Sequence, residues 1–183
     1  MEEKIKVVAL FGPAGAGKDY LYKKILAEND NLNGIVSYTT RPKREGEQDG
    51  VEYHFVDDKE FHRQVQAGAM LEWTDFRQWY YGTSLDAIKK DKINIGVFNI
   101  TGIRTMLNNK KVEVQPILVS TSAKTRLMRQ LQREENPDID EIIRRYKTDN
   151  KDFLDIPFQF DIVINEDWNE DVIADLAERI NLS

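Results

Sequence analysis

Gly12-Pro13-Ala14-Gly15-Ala16-Gly17-Lys18-Asp19 is the stretch that decides how the rest of the chain is read. It follows a short apolar, β-rich run at 4–11. It precedes a segment at 17–28 in which Leu21, Ile25 and Leu26 recur at helical spacing. A strand, a GxxxxGK loop and a helix in that order make a phosphate-binding loop. Its glycines let the backbone wrap around an anion with N–H groups turned inward. The helix N-terminus adds partial positive charge, and Lys18 offers a point charge to β- and γ-phosphates. The motif departs from its pattern at the last position, where the usual Ser or Thr is replaced by Asp19.

Beyond this loop the chain alternates. Residues 93–100, 112–119 and 160–164 read as buried strands. Residues 122–133, 140–153 and 170–180 read as helices, with Pro137 as a breaker. Strands alternating with helices imply a parallel sheet covered on both faces, an α/β class. Residues 33–90 break the rhythm with short strand-like pieces at 35–38, 51–56 and 69–73 and a charged loop at 41–49. The expected architecture is therefore a P-loop core of residues 1–32 and 91–183. An inserted α+β lobe of residues 33–90 sits beside it, and a short lid spans about 133–145.

Bulk properties narrow the function. The 183 residues suffice for one domain with a sizeable core. With no cysteine and only His54 and His62, disulfides, thiolate zinc sites and a cysteine nucleophile are excluded. Both histidines read as structural. The net charge of −6 argues against a general nucleic-acid binder, which needs a basic surface, but not against a small phosphorylated ligand. No run has the length of a membrane span, and Met1-Glu2-Glu3-Lys4 lacks the basic start of a signal peptide, so a cytoplasmic location is expected.

Ser37-Tyr38-Thr39-Thr40-Arg41-Pro42-Lys43-Arg44 is followed by Gly46-Glu47, Asp49-Gly50 and Tyr53-His54-Phe55-Val56, then by Leu71-Glu72 and Tyr81-Gly82-Thr83. In this order and without gaps, the stretch resembles the guanylate kinase family, and with the phosphate loop the resemblance covers nearly the whole chain. It implies ATP-dependent phosphorylation of GMP or dGMP. Arg41 and Arg44 would grip the GMP phosphate, with Tyr53 and Tyr81 donating hydroxyls and Glu47 orienting the arginines. A guanidinium fork suits phosphate oxygens and keeps its charge. Glu72 would read guanine, whose adjacent N1–H and N2–H donors match the two oxygens of a carboxylate. Ser37, Gly82 and Thr83 would contact the other edge of the base. On the donor side, residues 12–19 and Asn165 would bind ATP. Lys18, Arg44, Arg129, Arg133 and Arg145 would surround the transferring phosphoryl group.

Taken singly, these residues have plainer readings. Arg41 and Arg44 suit a solvated loop, Tyr53 and Tyr81 suit a core, and the helix arginines suit pairing with Glu134, Glu135 or Glu141. For Arg144 the plainer reading is preferred. Two departures from the family pattern bear on the chemistry. Counting back from Gly102, Val97 and Asn99 stand where the family carries acids, two apart on one strand face. Asn99 can still accept a hydrogen bond from guanine or ribose; Val97 can serve no metal. Asp19 is then the candidate to handle Mg²⁺, a hard cation that favours carboxylate and phosphate oxygens. Its plainer role is an acid in a first helical turn. The competing functions are a catalytically weak binding module of the same fold and a kinase of another nucleoside monophosphate. Glu72 opposes thymine, which has a single N–H donor.

Overall fold

The first strand, β1 (Ile5–Phe11), is buried along nearly its whole length and lies at the centre of a five-stranded sheet. The computed structural model describes residues 4–133 and 135–181. Glu134 and the expectation that it pairs with a flap arginine fall outside the described residues, as do residues 1–3, 182 and 183. The remaining strands of this sheet are β2 (Leu32–Gly34), β7 (Ile93–Val97), β8 (Val112–Ser120) and β9 (Asp161–Ile164). Their spatial order is β2-β7-β1-β8-β9, and all pair in parallel. A sheet buried on both faces needs continuous apolar strands rather than alternating ones, and β1 supplies such a run over 7–11 and β8 over 116–119.

One face is covered by α1 (Lys18–Glu28) and α6 (Glu170–Asn181), whose Leu21, Ile25, Val172, Ile173 and Leu176 pack on Leu10, Ile95 and Val119. The other face takes α3 (Ile100–Leu107) through Ile103 and Met106. There Phe11 meets three further rings, those of Phe153, Phe158 and Phe160, at centroid distances of 6.2, 5.5 and 5.7 Å. The helices α4 (Ala123–Leu131) and α5 (Ile139–Asp152) lie against each other after β8.

A second sheet of four strands, ordered β4-β3-β6-β5, stands apart from the first. It comprises β3 (Tyr38–Thr39), β4 (His54–Phe55), β5 (Met70–Phe76) and β6 (Trp79–Ser84), with α2 (Asp58–Gln66) packed on it through the fully buried Phe61. The expected strands at 35–38 and 51–56 shrink to two residues each. The boundary expected at residue 33 also moves: Asn33 and Gly34 pair with Asn94 and Ile95 in the parallel sheet, so the second sheet begins beyond them. The chain can make this turn because Asn94, fully buried, bridges Asn33, Lys89 and Lys92.

The strand expected at 93–100 ends at Val97. Asn99 instead caps α3, its Oδ1 accepting from the Gly102 N–H at 2.8 Å. An Asn side chain ahead of a helix satisfies one of the first-turn N–H groups that the helix leaves free. Among the described residues, no helix is long and apolar enough to cross a membrane.

Candidate functional site

In a parallel α/β sheet, ligands bind beyond the C-terminal ends of the strands. The cleft found there has a volume of about 610 Å³ and lies between the two sheets. A second cavity of about 700 Å³ opens at the opposite, N-terminal ends of the strands, against Lys6, Glu113 and Gln159, and brings together none of the residues singled out above.

The phosphate loop forms one wall of the cleft. Gly15 and Gly17 have φ of 80° and 90°. A Cβ on Gly15 would sit 2.5 Å from the Arg126 carbonyl, and one on Gly17 would sit 2.3 Å from Asn165 Nδ2. Only glycine fits both the left-handed backbone and this closeness. Lys18 Nζ donates to the Gly12 and Pro13 carbonyls at 2.9 and 3.1 Å. Burial holds the Lys18 ammonium below its usual range, with Arg44 and Arg126 adding to this and Asp19 and Asp149 opposing it. Asp19 follows in the first turn of α1 and lines the cleft.

The opposite wall comes from the smaller sheet. Arg41 is buried and makes a two-pronged pair with Glu47, at 2.9 and 2.8 Å. Glu47 also accepts the Arg44 backbone N–H at 2.7 Å. Burial raises the Glu47 carboxyl, but Arg41 and Arg44 outweigh it and hold the group below the usual carboxylate range. Among the described residues, no acid lies within ion-pair distance of the Arg44 guanidinium. Burial, then Arg41 and Arg145, push it down to about 10. Tyr53 and Tyr81 stand edge to face at 5.9 Å beside these arginines. Arg133 reaches Glu47 only at 4.0 Å, and Arg145 is held by Glu141 at 2.6 Å. Arg144 also pairs with Glu141 and is more than half exposed, as the plainer reading of it expected.

Glu72 is 5% exposed, opposite Thr83 across the β5–β6 pair. Burial raises its carboxyl to about 7 even though the Thr83 hydroxyl and N–H favour the charged form. Ser37 and Thr83 share a hydrogen bond of 3.2 Å, and both are buried next to Gly82. The first turn of α3 closes over Glu72: a Cβ on Gly102 would lie 3.0 Å from its Oε2. Asn99 lines the cleft with its side-chain amide already engaged at both ends. Its Oδ1 takes Gly102 N–H and its Nδ2 donates to Thr74 at 3.1 Å.

Six expected site residues do not line the cleft: Pro13, Ala16, Gly17, Thr83, Arg129 and Asn165. Arg129 donates to the Glu166 carbonyl at 2.8 Å and to the Gly15 and Ala16 carbonyls at 3.4 Å. Its guanidinium stacks 4.0 Å from the Trp168 ring, so it braces the back of the phosphate loop. Asn165 is fully buried there, donating to Ala16 O at 2.8 Å and leaving its Oδ1 without a partner.

Four residues absent from the sequence reading matter to the site: Arg77, Arg126, Asp149 and Asp152. Arg77 sits with Gln78 in a hairpin turn of positive φ, 54° and 73°, between β5 and β6. No Asn-Gly or Asp-Gly pair marks such a turn in the sequence. Asp149 accepts from Arg77 at 2.9 Å and from the Ala14 N–H at 2.7 Å.

A phosphate loop at the C-terminal edge of a parallel sheet defines a P-loop nucleotide-binding protein of α/β class. The chain belongs to the guanylate kinase family, whose model, described as "Guanylate kinase", matches residues 4–182. A human guanylate kinase is 32% identical, with 95% of this chain and 91% of the relative aligned. A guanylate kinase from Sulfurimonas denitrificans is 30% identical over 93% of this chain and 87% of its own. The crystal structure of guanylate kinase from Anaplasma phagocytophilum superposes with a TM-score of 0.71, covering all of this chain and 87% of that one at 21% identity, which supports the fold.

The Arg41–Glu47 pair yields a prediction. Breaking a buried ion pair costs about 3–5 kcal/mol, because one charge is left unmatched. Glu47→Gln should lose stability of that order in urea titrations at neutral pH. Because the folded Glu47 titrates below its ordinary value of 4.5, its contribution is complete above that pH and is lost as pH falls further. The gap between the two proteins should therefore be constant above about pH 4.5 and close in more acidic solution. A gap that ignores pH would show that the carboxylate charge is not what holds the loop.

Proposed function

We propose that this protein transfers the γ-phosphate of ATP to GMP or dGMP. One observation carries the reading. The Gly12–Lys18 loop and the Arg41, Arg44, Tyr53, Tyr81 and Glu72 set line opposite walls of a single cleft. ATP would place its phosphates on the loop N–H groups and Lys18. The acceptor phosphate would take the guanidinium of Arg44, which pairs with no acid among the described residues, and the outer face of Arg41. Arg133 and Arg145, reaching the cleft from α4–α5, would offset charge on the equatorial oxygens as the phosphoryl group moves. The acceptor is already anionic, so no general base need dominate. Alignment and charge compensation supply the rate. Arg129 would act on the loop from behind rather than on the phosphoryl group.

Mg²⁺ fits the residues present in a restricted way. Among the described residues, no group of three or more Asp, Glu, His or Cys could hold a metal, and Val97 lines the cleft without a donor atom. Asp19 is the carboxylate that directly follows the loop lysine, in the first turn of α1. Mg²⁺ characteristically takes one or two carboxylates plus substrate phosphates and keeps waters, so Asp19 would hold it together with the triphosphate. When bound, the ion neutralises the β- and γ-oxygens.

A binding module without activity is disfavoured, because Lys18, Arg41, Arg44, Arg133 and Arg145 are all present. A thymidylate kinase is disfavoured by Glu72, since thymine cannot engage both oxygens.

ADP release measured with each nucleoside monophosphate in turn tests the reading. GMP or dGMP should be turned over, and Lys18→Ala should lose several orders of magnitude. A folded protein that phosphorylates none of them would return the chain to the binding module.

Guanine recognition has its own test. Glu72 must be ionised to face two N–H donors, and its carboxyl lies near 7 in the free protein. Guanosine carries no titrating phosphate. Its association constant should rise roughly tenfold per pH unit below 7 and flatten above. Glu72→Gln should lose about 2–4 kcal/mol toward GMP and abolish the pH slope. Wild-type guanosine binding in Glu72→Gln would remove it as the guanine reader.

For the metal, Asp19→Ala should raise the Mg²⁺ concentration needed for half-maximal rate and leave metal-free ATP binding unchanged or tighter, as calorimetry would show. An unchanged Mg²⁺ requirement reduces Asp19 to an acid in the first turn of α1.

A further inference from the structure

The phosphate loop already holds an anion, and that anion is part of the protein. Asp149 projects from α5 with 4% exposure, and its Oδ2 accepts the Ala14 N–H at 2.7 Å. That N–H belongs to the set that an incoming triphosphate needs. The other oxygen, Oδ1, accepts from Arg77 Nη2 at 2.9 Å, and the same nitrogen reaches Asp152 at 2.6 Å. Arg77 stands at the turn of the β5–β6 hairpin, so one carboxylate joins the smaller sheet, α5 and the loop. Lys18 meanwhile points its ammonium at the Gly12 and Pro13 carbonyls. The loop's N–H and its lysine are thus both occupied from within.

Two negative groups cannot share one N–H in a partly buried cleft. The triphosphate and the Asp149 carboxylate repel each other, and only one can take Ala14 N–H. We propose that Asp149 is an internal stand-in for phosphate. It occupies the loop until ATP displaces it, and through Arg77 it latches the β5–β6 hairpin to the loop. Displacement leaves Arg77 with Asp152 alone, so the hairpin is held less firmly once ATP is in place. By linkage the coupling is reciprocal: whatever holds Arg77 on Asp149 weakens phosphate binding by the same factor. This inference rests on the loop being the ATP-phosphate site.

The test uses tripolyphosphate and ATP without metal, titrated calorimetrically into the wild type, Asp149→Asn and Lys18→Ala, with adenosine as a ligand lacking phosphate. Asp149→Asn keeps the size of the side chain and removes the charge. It should bind tripolyphosphate and ATP about fivefold or more tightly than the wild type, a typical coupling factor, with adenosine unchanged. A second readout is a double-mutant cycle of Arg77→Gln and Asp149→Asn in thermal unfolding. Their coupling should be measurable in the free protein and vanish at saturating tripolyphosphate. Unchanged or weaker phosphate binding in Asp149→Asn overturns the proposal, as does a coupling that survives saturation. Binding of tripolyphosphate to the wild type that Lys18→Ala leaves intact would instead refute the loop as the phosphate site, and this proposal with it.

Discussion

The carbonyl of Ala16 is the point on which the rest of the structure depends. It accepts hydrogen bonds from Asn165 Nδ2 at 2.8 Å, Thr121 Oγ1 at 3.1 Å and Arg129 Nη1 at 3.4 Å. These donors come from the end of β9, the end of β8 and α4. With its carbonyl drawn to the back by three separate segments, the loop turns its other face to the cleft. Positive φ at Gly15 and Gly17 permits that turn, and the Arg126 backbone and the Asn165 side chain close in to distances that leave no room for a Cβ. The phosphate site is therefore a property of three strand ends and a helix acting together.

The cations of the cleft are neutralised unevenly, although acids line it as well. Arg41 is balanced by Glu47, but Arg44 has no such partner among the described residues and its guanidinium is pushed down to about 10 by burial and its arginine neighbours. Keeping several guanidiniums close together in a partly buried space is costly without anions. The fold tolerates it because the two-pronged Arg41–Glu47 pair fixes the loop and the other arginines reach in from the rim. A phosphorylated ligand relieves this repulsion, which turns the strain of the free protein into a binding preference. Asp149, Asp152 and Glu141 relieve part of it meanwhile.

How much of this was legible in the sequence follows from how local each signal is. The phosphate loop is contiguous, so its strand, glycines, lysine and helix could be read together. The parallel core followed from apolar runs of strand length. The short strands β3 and β4 are two residues each and exist through pairing with β6, a non-local interaction that no periodicity announces. The helix α2 was missed although Asp57 caps it through the Glu60 N–H, an acid three residues ahead of a glutamate. Asn99 was misplaced on a strand because β7 and the cap of α3 form one apolar stretch, and only the helix-capping geometry separates them. The resemblance implied a place for Arg129 beside Arg133 around the phosphoryl group. Arg133 lies beyond the end of α4, while Trp168, distant in sequence, stacks on Arg129 at the back of the loop. Arg77 and Asp149 meet across 72 residues, a distance at which only the fold can pair them.

The acids of the site have a pattern of their own. The end of β7 and the cap of α3 offer Val97 and the already engaged Asn99 toward the cleft, so they contribute no charge there. The carboxylates near the phosphate loop come from helices instead: Asp19 in the first turn of α1, and Asp149 and Asp152 near the end of α5. Position changes what a carboxylate can do. On a strand end it would be fixed by the sheet ladder and could only receive what the cleft brings. On α5 it belongs to the segment that follows the turn after α4, and it is tied through Arg77 to the opposite sheet. Negative charge on the helices rather than on the sheet therefore lies on elements that meet both the phosphate loop and the opposite wall. Charge compensation and the joining of the two walls then fall to the same side chains.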